Sequence, residues 1–378
     1  MRSRDATHRS PSTQAWELLD PAHIDAADVA AWRTLADRAA EPNPFYRPEY
    51  LLPNVDERHG DVRLLVVRDD RRWLACLPIR EVPANRTFPL PHVEALVDPY
   101  SVCSTPLVDR GDVHVGVDGL LAFVGGEHGA SALLLAMFPP DGPVGSALTA
   151  LAPSRRIHPV VYQDGTRAAW YGSPEGPPSG AGINGSERHR LARRARGLER
   201  ELGAGLEVVD RAQDPAAWDL FLALEASGWK AEAGTALASS ASDTAFFRRM
   251  CAGMSATGHL ELVALEAGRR TAAMECHLIE DRATFVIKIA YAADLHRYSP
   301  GYLLGVRVLD GFDQQGLQLA DSCASEDNVH INRLWPARRR IQTVLLPTGA
   351  RSARLVGPTV RAKRLARHVR DDLLHHHD

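Results

Sequence analysis

AAMECHLIE (272–280), ATFVIKIAY (283–291), SPGYLLGVRVL (299–309) and LQLAD (317–321) decide how this chain folds. Just upstream, His259 to Leu265 (HLELVAL) reads as a strand, and Ala267, Gly268 and Arg269 make a turn. Thr271 to Ile279 reads as a second strand, ended by a turn at Glu280, Asp281 and Arg282. Ala283 to Tyr291, rich in aromatic and β-branched residues, reads as a third. Ser299, Pro300 and Gly301 then open an apolar-periodic helical segment that runs to about Gln315, and Leu317 to Asp321 form a further strand. Proline suits a first helical turn, and glycine lets backbone come close to a ligand. Unpaired N–H groups at such a turn favour a pyrophosphate.

A meander feeding a strand, glycine turn, helix and strand resembles the acyl-CoA N-acyltransferase (GNAT) fold. Within that superfamily the chain is similar to the CelD/BcsL-type acetyltransferases. The matching segments are Arg190 to Glu199, Leu224 to Lys230, Ala290-Tyr291, Ser299 to Gly301, Leu303-Leu304, Asp321 and Trp335, and the likeness covers residues 184–346. It implies acetyl-CoA as acyl donor, held by Ile289, Ala290, Tyr291, Arg297, Ser299, Pro300, Gly301, Tyr302, Leu303 and Leu304. It places Trp229, Lys230, Lys288, Asn328 and Trp335 on the side of the acceptor, an amine on a small molecule or sugar. The usual phosphate loop is Q/R-x-x-G-x-G/A. Here Arg297 to Leu304 keeps one glycine, with Pro300 and Tyr302 where small residues are expected.

The composition is that of a globular protein, 45% hydrophobic and 24% charged over 378 residues. A net charge of −3 gives no reason to expect a nucleic-acid partner. The five cysteines are scattered without a CxxC pair, which suggests neither a disulfide framework nor a zinc site. Met1 to Thr13 is polar and unlike a secretory signal. The apolar runs Gly119 to Val124 and Ala132 to Phe138 fall short of the roughly 20 residues that span a bilayer. A cytoplasmic enzyme without a membrane span is the expectation.

The first half echoes the second. Asp28 to Trp32 (DVAAW) matches Asp214 to Trp218 (DPAAW), and Arg63 to Arg72 matches Leu260 to Arg270, in the same order. Either the chain is an internal duplication or amphipathic segments coincide by chance. Duplication gives an α/β (α+β) fold of tandem GNAT-like units with mixed central sheets flanked by helices. Its parts are a disordered 1–14, a degenerate unit at 15–171, a Gly/Pro/Ser linker at 172–184, an acetyltransferase unit at 185–350 and a basic tail helix at 351–378. Asp28 is a candidate N-cap of the first helix. Residues 186–202 should form a helix with Leu191, Ala195, Leu198 and Leu202 on one face and Arg188, Arg190, Arg193, Arg194, Arg196 and Arg200 on the other. That basic face is either solvated or an anion site.

Acyl transfer from a thioester needs a deprotonated amine, a stabilised oxyanion and a protonated leaving thiolate. The resemblance puts the acyl carbonyl beside Ala283 to Tyr291, with backbone N–H groups near Ile289 to Tyr291 as oxyanion donors. Strand period sets Met274, Cys276 and Leu278 on one face and Glu275 and His277 on the other, and the hairpin turn places Lys288 opposite Glu275. Glu275, His277 and Asp321 are therefore the candidate bases, with His277 expected neutral, and Tyr291 is a candidate proton donor. A paired surface Glu and Lys, a cap at Asp321 and a packed Tyr291 are the plain alternatives. Two other functions stay open: a Fem-type aminoacyl or peptidyl transferase, and a catalytically degenerate GNAT scaffold.

Overall fold

The structure is a computed structural model. It describes residues 16–70, 72–84, 90–126, 130–172, 183–228, 234, 236–312, 314–335, 337–348, 352 and 354–360. The expected disordered N-terminus, most of the linker and residues 361–378 of the basic tail lie outside these.

The first half runs β1 (Trp16–Leu19), α1 (Ala26–Asp37), α2 (Pro48–Arg58), β2 (Arg63–Asp69), β3 (Arg72–Val82), β4 (His92–Ala95), β5 (Leu107–Val108), α3 (Val113–Gly125), β6 (Ala132–Phe138), α4 (Pro143–Leu151) and β7 (Val160–Tyr171). The second runs α5 (Gly185–Leu202), β8 (Leu206–Asp210), α6 (Pro215–Ala226), α7 (Ala241–Ala256), β9 (Leu260–Ala267), β10 (Arg270–Glu280), β11 (Ala283–Tyr291), α8 (Pro300–Gly311), β12 (Leu319–Asp321), α9 (Val329–Leu334) and β13 (Ala337–Pro347). Helix ends follow cap chemistry. Asn184, Asp214 and Ser240 each accept a backbone N–H at the start of α5, α6 and α7. Gly203, at φ 70°, closes α5 in the left-handed region that glycine occupies without strain.

The chain forms two compact units that interleave in sequence: Met1–Pro48, Asp61–Gly165 and Arg340–Asp378, and Glu49–Gly60 with Thr166–Arg339. The linear division at residues 172–184 does not describe them. In the first unit the strand order is β1-β2-β3-β4-β6-β13, paired antiparallel three times, then parallel, then antiparallel. In the second it is β8-β9-β10-β11-β12-β7, with the same senses in the same places. Each sheet thus ends on a strand from the other half of the sequence.

A shared irregularity supports duplication over coincidence. In the β2–β3 hairpin the register steps by one at Leu74, the third residue of β3. In β9–β10 it steps by one at Ala272, the third residue of β10. The DxAAW match is not an equivalence in space, however. Asp25, not Asp28, caps α1, so Trp32 stands seven residues from its cap and Trp218 four from Asp214. Trp32 is buried, stacks on Trp73 and donates to the Tyr46 carbonyl. Trp218 is half-buried and donates to Ala212. β5 is a two-residue strand, Leu107–Val108, and Glu49 to Leu52 lie in α2.

Candidate active site

β11 carries the decisive local feature. From the turn outward it pairs Glu280 with Ala283 and His277 with Val286, the register read from sequence. Beyond that, Cys276 faces Lys288 and Glu275 faces Ile289, so Ile287 is a bulged extra residue. A bulge leaves one residue out of the ladder and re-aims those that follow. Lys288 therefore leaves the face expected for it and shares one with Cys276, opposite to Glu275 and His277. Its Nζ hydrogen-bonds Glu225 of α6, whose side chain is fully buried and whose Oε2 accepts the Leu237 N–H at 2.9 Å.

The other face holds a buried chain of charges. His277 is fully buried; its Nε2 lies 3.0 Å from Glu275 Oε2 and its Nδ1 3.4 Å from Glu261 Oε2. Burial alone would lower its pKa, but the two carboxylates outweigh that and raise it to about 10. His277 is thus an imidazolium at neutral pH, not the neutral base expected. Glu261, which faces His277, is pushed up by burial but held below the usual carboxylate range by that imidazolium. Glu275 Oε1 has no hydrogen-bond partner and points toward α8, where a Cβ on Gly305 would stand 3.2 Å away. Glu275 and His277 therefore sit beneath α8, where neither is exposed to an acceptor.

Asp321, at the end of β12, is also fully buried. Arg167 and Arg339 bind its Oδ2 at 2.7 and 2.6 Å, and Oδ1 accepts the Cys323 N–H. Burial raises its pKa, and the two guanidinium groups outweigh this and hold it below the usual carboxylate range. A carboxylate so paired is a poor proton acceptor, which corrects the expectation of a base there.

The turn between β11 and α8 is formed at Ser299. Ser299 adopts φ 52°, and α8 begins at Pro300 with no side-chain cap. A Cβ on Gly301 would lie 3.5 Å from Ile289 and 3.6 Å from Tyr291, so the first turn of α8 rests against the far end of β11. The ladder from β11 to β12 stops at Phe285. Arg194 of α5 donates from Nη1 to Ser299 Oγ at 2.8 Å. Other named residues are structural: Leu303, Leu304 and Trp335 lie in the core, Ala290 is buried on the Lys288 face, Arg297 pairs with Glu201, and Asn328 caps α9. Trp229 and Lys230 lie outside the described residues. Glu225 was missed, although its position was legible: Ala217, Phe221 and Glu225 repeat every four residues, so an acid sits on the buried stripe of α6. Among the described residues no cluster of metal-ligand side chains occurs.

Together these define a mixed α/β fold of tandem GNAT-like units, the second with an uncapped turn at Ser299 and a bulged strand. Residues 185–328 match the family described as acetyltransferase (GNAT) domain. No curated protein matches the chain. Among solved structures it is similar to the C-terminal (DUF2156) domain of an Agrobacterium fabrum protein named as a lysylphosphatidylglycerol synthetase (15% identity, TM-score 0.53, 89% of this chain and 96% of that one). FemX gives 10% identity and TM-score 0.52 over 87% of this chain and 96% of that one. L-PGS from Bacillus licheniformis gives 12% and 0.50 over 84% and 96%. At such identities the likeness shows the fold alone. Among the described residues no helix is long and apolar enough to cross a membrane.

Proposed function

We propose that the second unit transfers an acetyl group from acetyl-CoA to an amine on a small molecule or sugar, as the CelD/BcsL-type resemblance implies. The observation that supports this best is the bulge at Ile287 beside the uncapped first turn of α8. Ile289, Tyr291, Ser299, Gly301 and Tyr302 border the donor. The neutral amine attacks the thioester carbonyl, a C–N bond forms and the carbonyl electrons move to oxygen. Collapse breaks the C–S bond; the thiolate leaves and takes a proton, and the amine nitrogen gives one to water. Released backbone near the bulge and the Lys288 ammonium are placed to stabilise the oxyanion, and Glu225 holds that ammonium. Tyr291, half-buried against Gly301, is the proton donor to sulfur. Glu275, His277 and Asp321 carry no proton step in this scheme, which works by positioning and electrostatics.

The test is a thermal-shift titration with acetyl-CoA and CoA, followed by acetyl transfer to a panel of amines. Stabilisation by CoA species and turnover with one amine class support the reading. No shift with any CoA species would leave the scaffold alternative. Turnover with an aminoacyl-tRNA in place of acetyl-CoA would establish the Fem-type one.

A further inference from the structure

The arginine face of α5 is not used by this scheme, and its geometry is unusual. α5 carries six arginines against three glutamates. Its apolar side docks on the second unit's core through Leu191 and Leu198, with Ala195 and Leu202 packed against the same cluster. It meets the donor turn along its length. Glu201 binds Arg297 and the Tyr298 hydroxyl, and Gly197 lies so close to the Tyr298 ring that a Cβ would come within 2.9 Å. One turn earlier, Arg194 reaches Ser299. A further turn back, Arg190, ion-paired with Glu187, lies near enough to act electrostatically on Tyr302, as do Glu187 itself and Arg333 of α9.

Two facts set Arg194 apart. It is half-buried and, among the described residues, meets no carboxylate; its one bond here goes to a neutral hydroxyl. A guanidinium withdrawn from water favours an anion to complete it. The turn it approaches is also short of donors, because Pro300 has no N–H and the loop keeps a single glycine. We propose that Arg194, flanked by Arg190 and Arg333, is a phosphate-binding subsite for the nucleotide end of CoA. It supplies from outside the strand–turn–helix unit the hydrogen bonds that the glycine-poor loop lacks. The subsite rests on the CoA reading above and extends it from the turn's backbone to a separate helix.

Calorimetric titration with CoA, adenosine 3′,5′-bisphosphate and S-acetylpantetheine tests it on the full chain. Arg194→Gln should weaken CoA and the bisphosphate about 10- to 100-fold, the loss of a charge-assisted bond, and leave the phosphate-free S-acetylpantetheine within twofold. Arg190→Gln, an exposed change that leaves the fold intact, should weaken both phosphate ligands severalfold. Equal loss for all three ligands would make Arg194 merely structural and overturn the subsite. So would unaltered affinity in both variants, or failure of the bisphosphate to bind the unaltered protein. If the bisphosphate binds in an Arg194-dependent way but acetyl-CoA transfers to no amine, the subsite stands and the acetyltransferase reading falls. Tighter, Arg194-dependent binding of a short RNA hairpin than of CoA would overturn the assignment to CoA.

Discussion

At the scale of single residues, the two faces of one strand pair part company. Lys288 and Glu225 form an ion pair on the α6 side, and Glu275, His277 and Glu261 form a row of paired charges on the α8 side. If the α6 side holds the reaction, Lys288→Met should lower kcat by roughly 10²–10³-fold, the usual loss of one oxyanion donor, with CoA affinity near normal. Glu275→Gln should stay within a few-fold of the unaltered rate. Steady-state kinetics on the amine found in the panel decide this, and a large loss in Glu275→Gln with none in Lys288→Met would reverse the assignment. His277 has a second, measurable consequence. Its pKa is raised from 6.5 to about 10 on folding, so its protonation stabilises the native state fully below pH 6.5. That contribution is lost as pH climbs toward 10. Unfolding free energies from urea titrations of the unaltered protein and His277→Gln should therefore converge between pH 7 and 10, by a few kcal/mol at most. A gap independent of pH would mean that the imidazole is neutral when buried.

At the scale of elements, most of the second half was legible. Period-2 patterns gave β9, β10 and β11 within two residues of their ends, and the Ser-Pro-Gly turn gave α8. The bulge was not legible, because Phe285, Val286, Ile287 and Ile289 are all apolar, which hides the period around Lys288, and no glycine marks the break. Nor were the partners of Asp321, since its arginines lie on β7 and β13, far off in sequence. The seat of α8 on the sheet depends on Gly305, where a Cβ would meet Leu334 at 3.0 Å and Glu275 Oε1 at 3.2 Å. Both neighbours are side-chain ends that can give a little, so Gly305→Ala should cost about 1–3 kcal/mol as overpacking does. Because Gly305 lies about one turn from Gly301, a helix lifted there should also weaken CoA. A lowered unfolding midpoint together with a raised Kd is the expected result, and unchanged CoA affinity would mean that the donor turn is fixed independently of the body of α8.

At the scale of the molecule, the chain repeats a six-strand order with the same pairing senses and the same bulge in the first hairpin. The second bulge is not repeated: the four pairs from Ile79–Ala95 to Val82–His92 keep one register. The first unit thus has the frame without the second bulge. Sequence motifs pointed to the repeat but not to the exchange of terminal strands, because an alternating pattern specifies a face and not a neighbour. The exchange is testable. Cutting between residues 172 and 183 separates β7 from β12, and with β7 go Arg167 and Trp170. Trp170 packs 5.6 Å from Phe312 in the second unit's core, and Arg167 is one of two cations on buried Asp321. Removing one partner of a buried ion pair costs about 3–5 kcal/mol, a large part of the roughly 5–15 kcal/mol that holds a typical domain folded. The same cut removes Glu49–Gly60, whose Asp56 and Glu57 bind Arg249 of α7. A fragment of residues 183–378 should therefore lack near-ultraviolet circular dichroism and a cooperative urea transition, although it contains the whole family-matched segment 185–328. Extending it back to residue 160 restores β7 and Arg167 and should recover part of the transition. Cooperative unfolding of the 183–378 fragment with native-like spectra would show that β7 is dispensable and that the unit closes on its own strands.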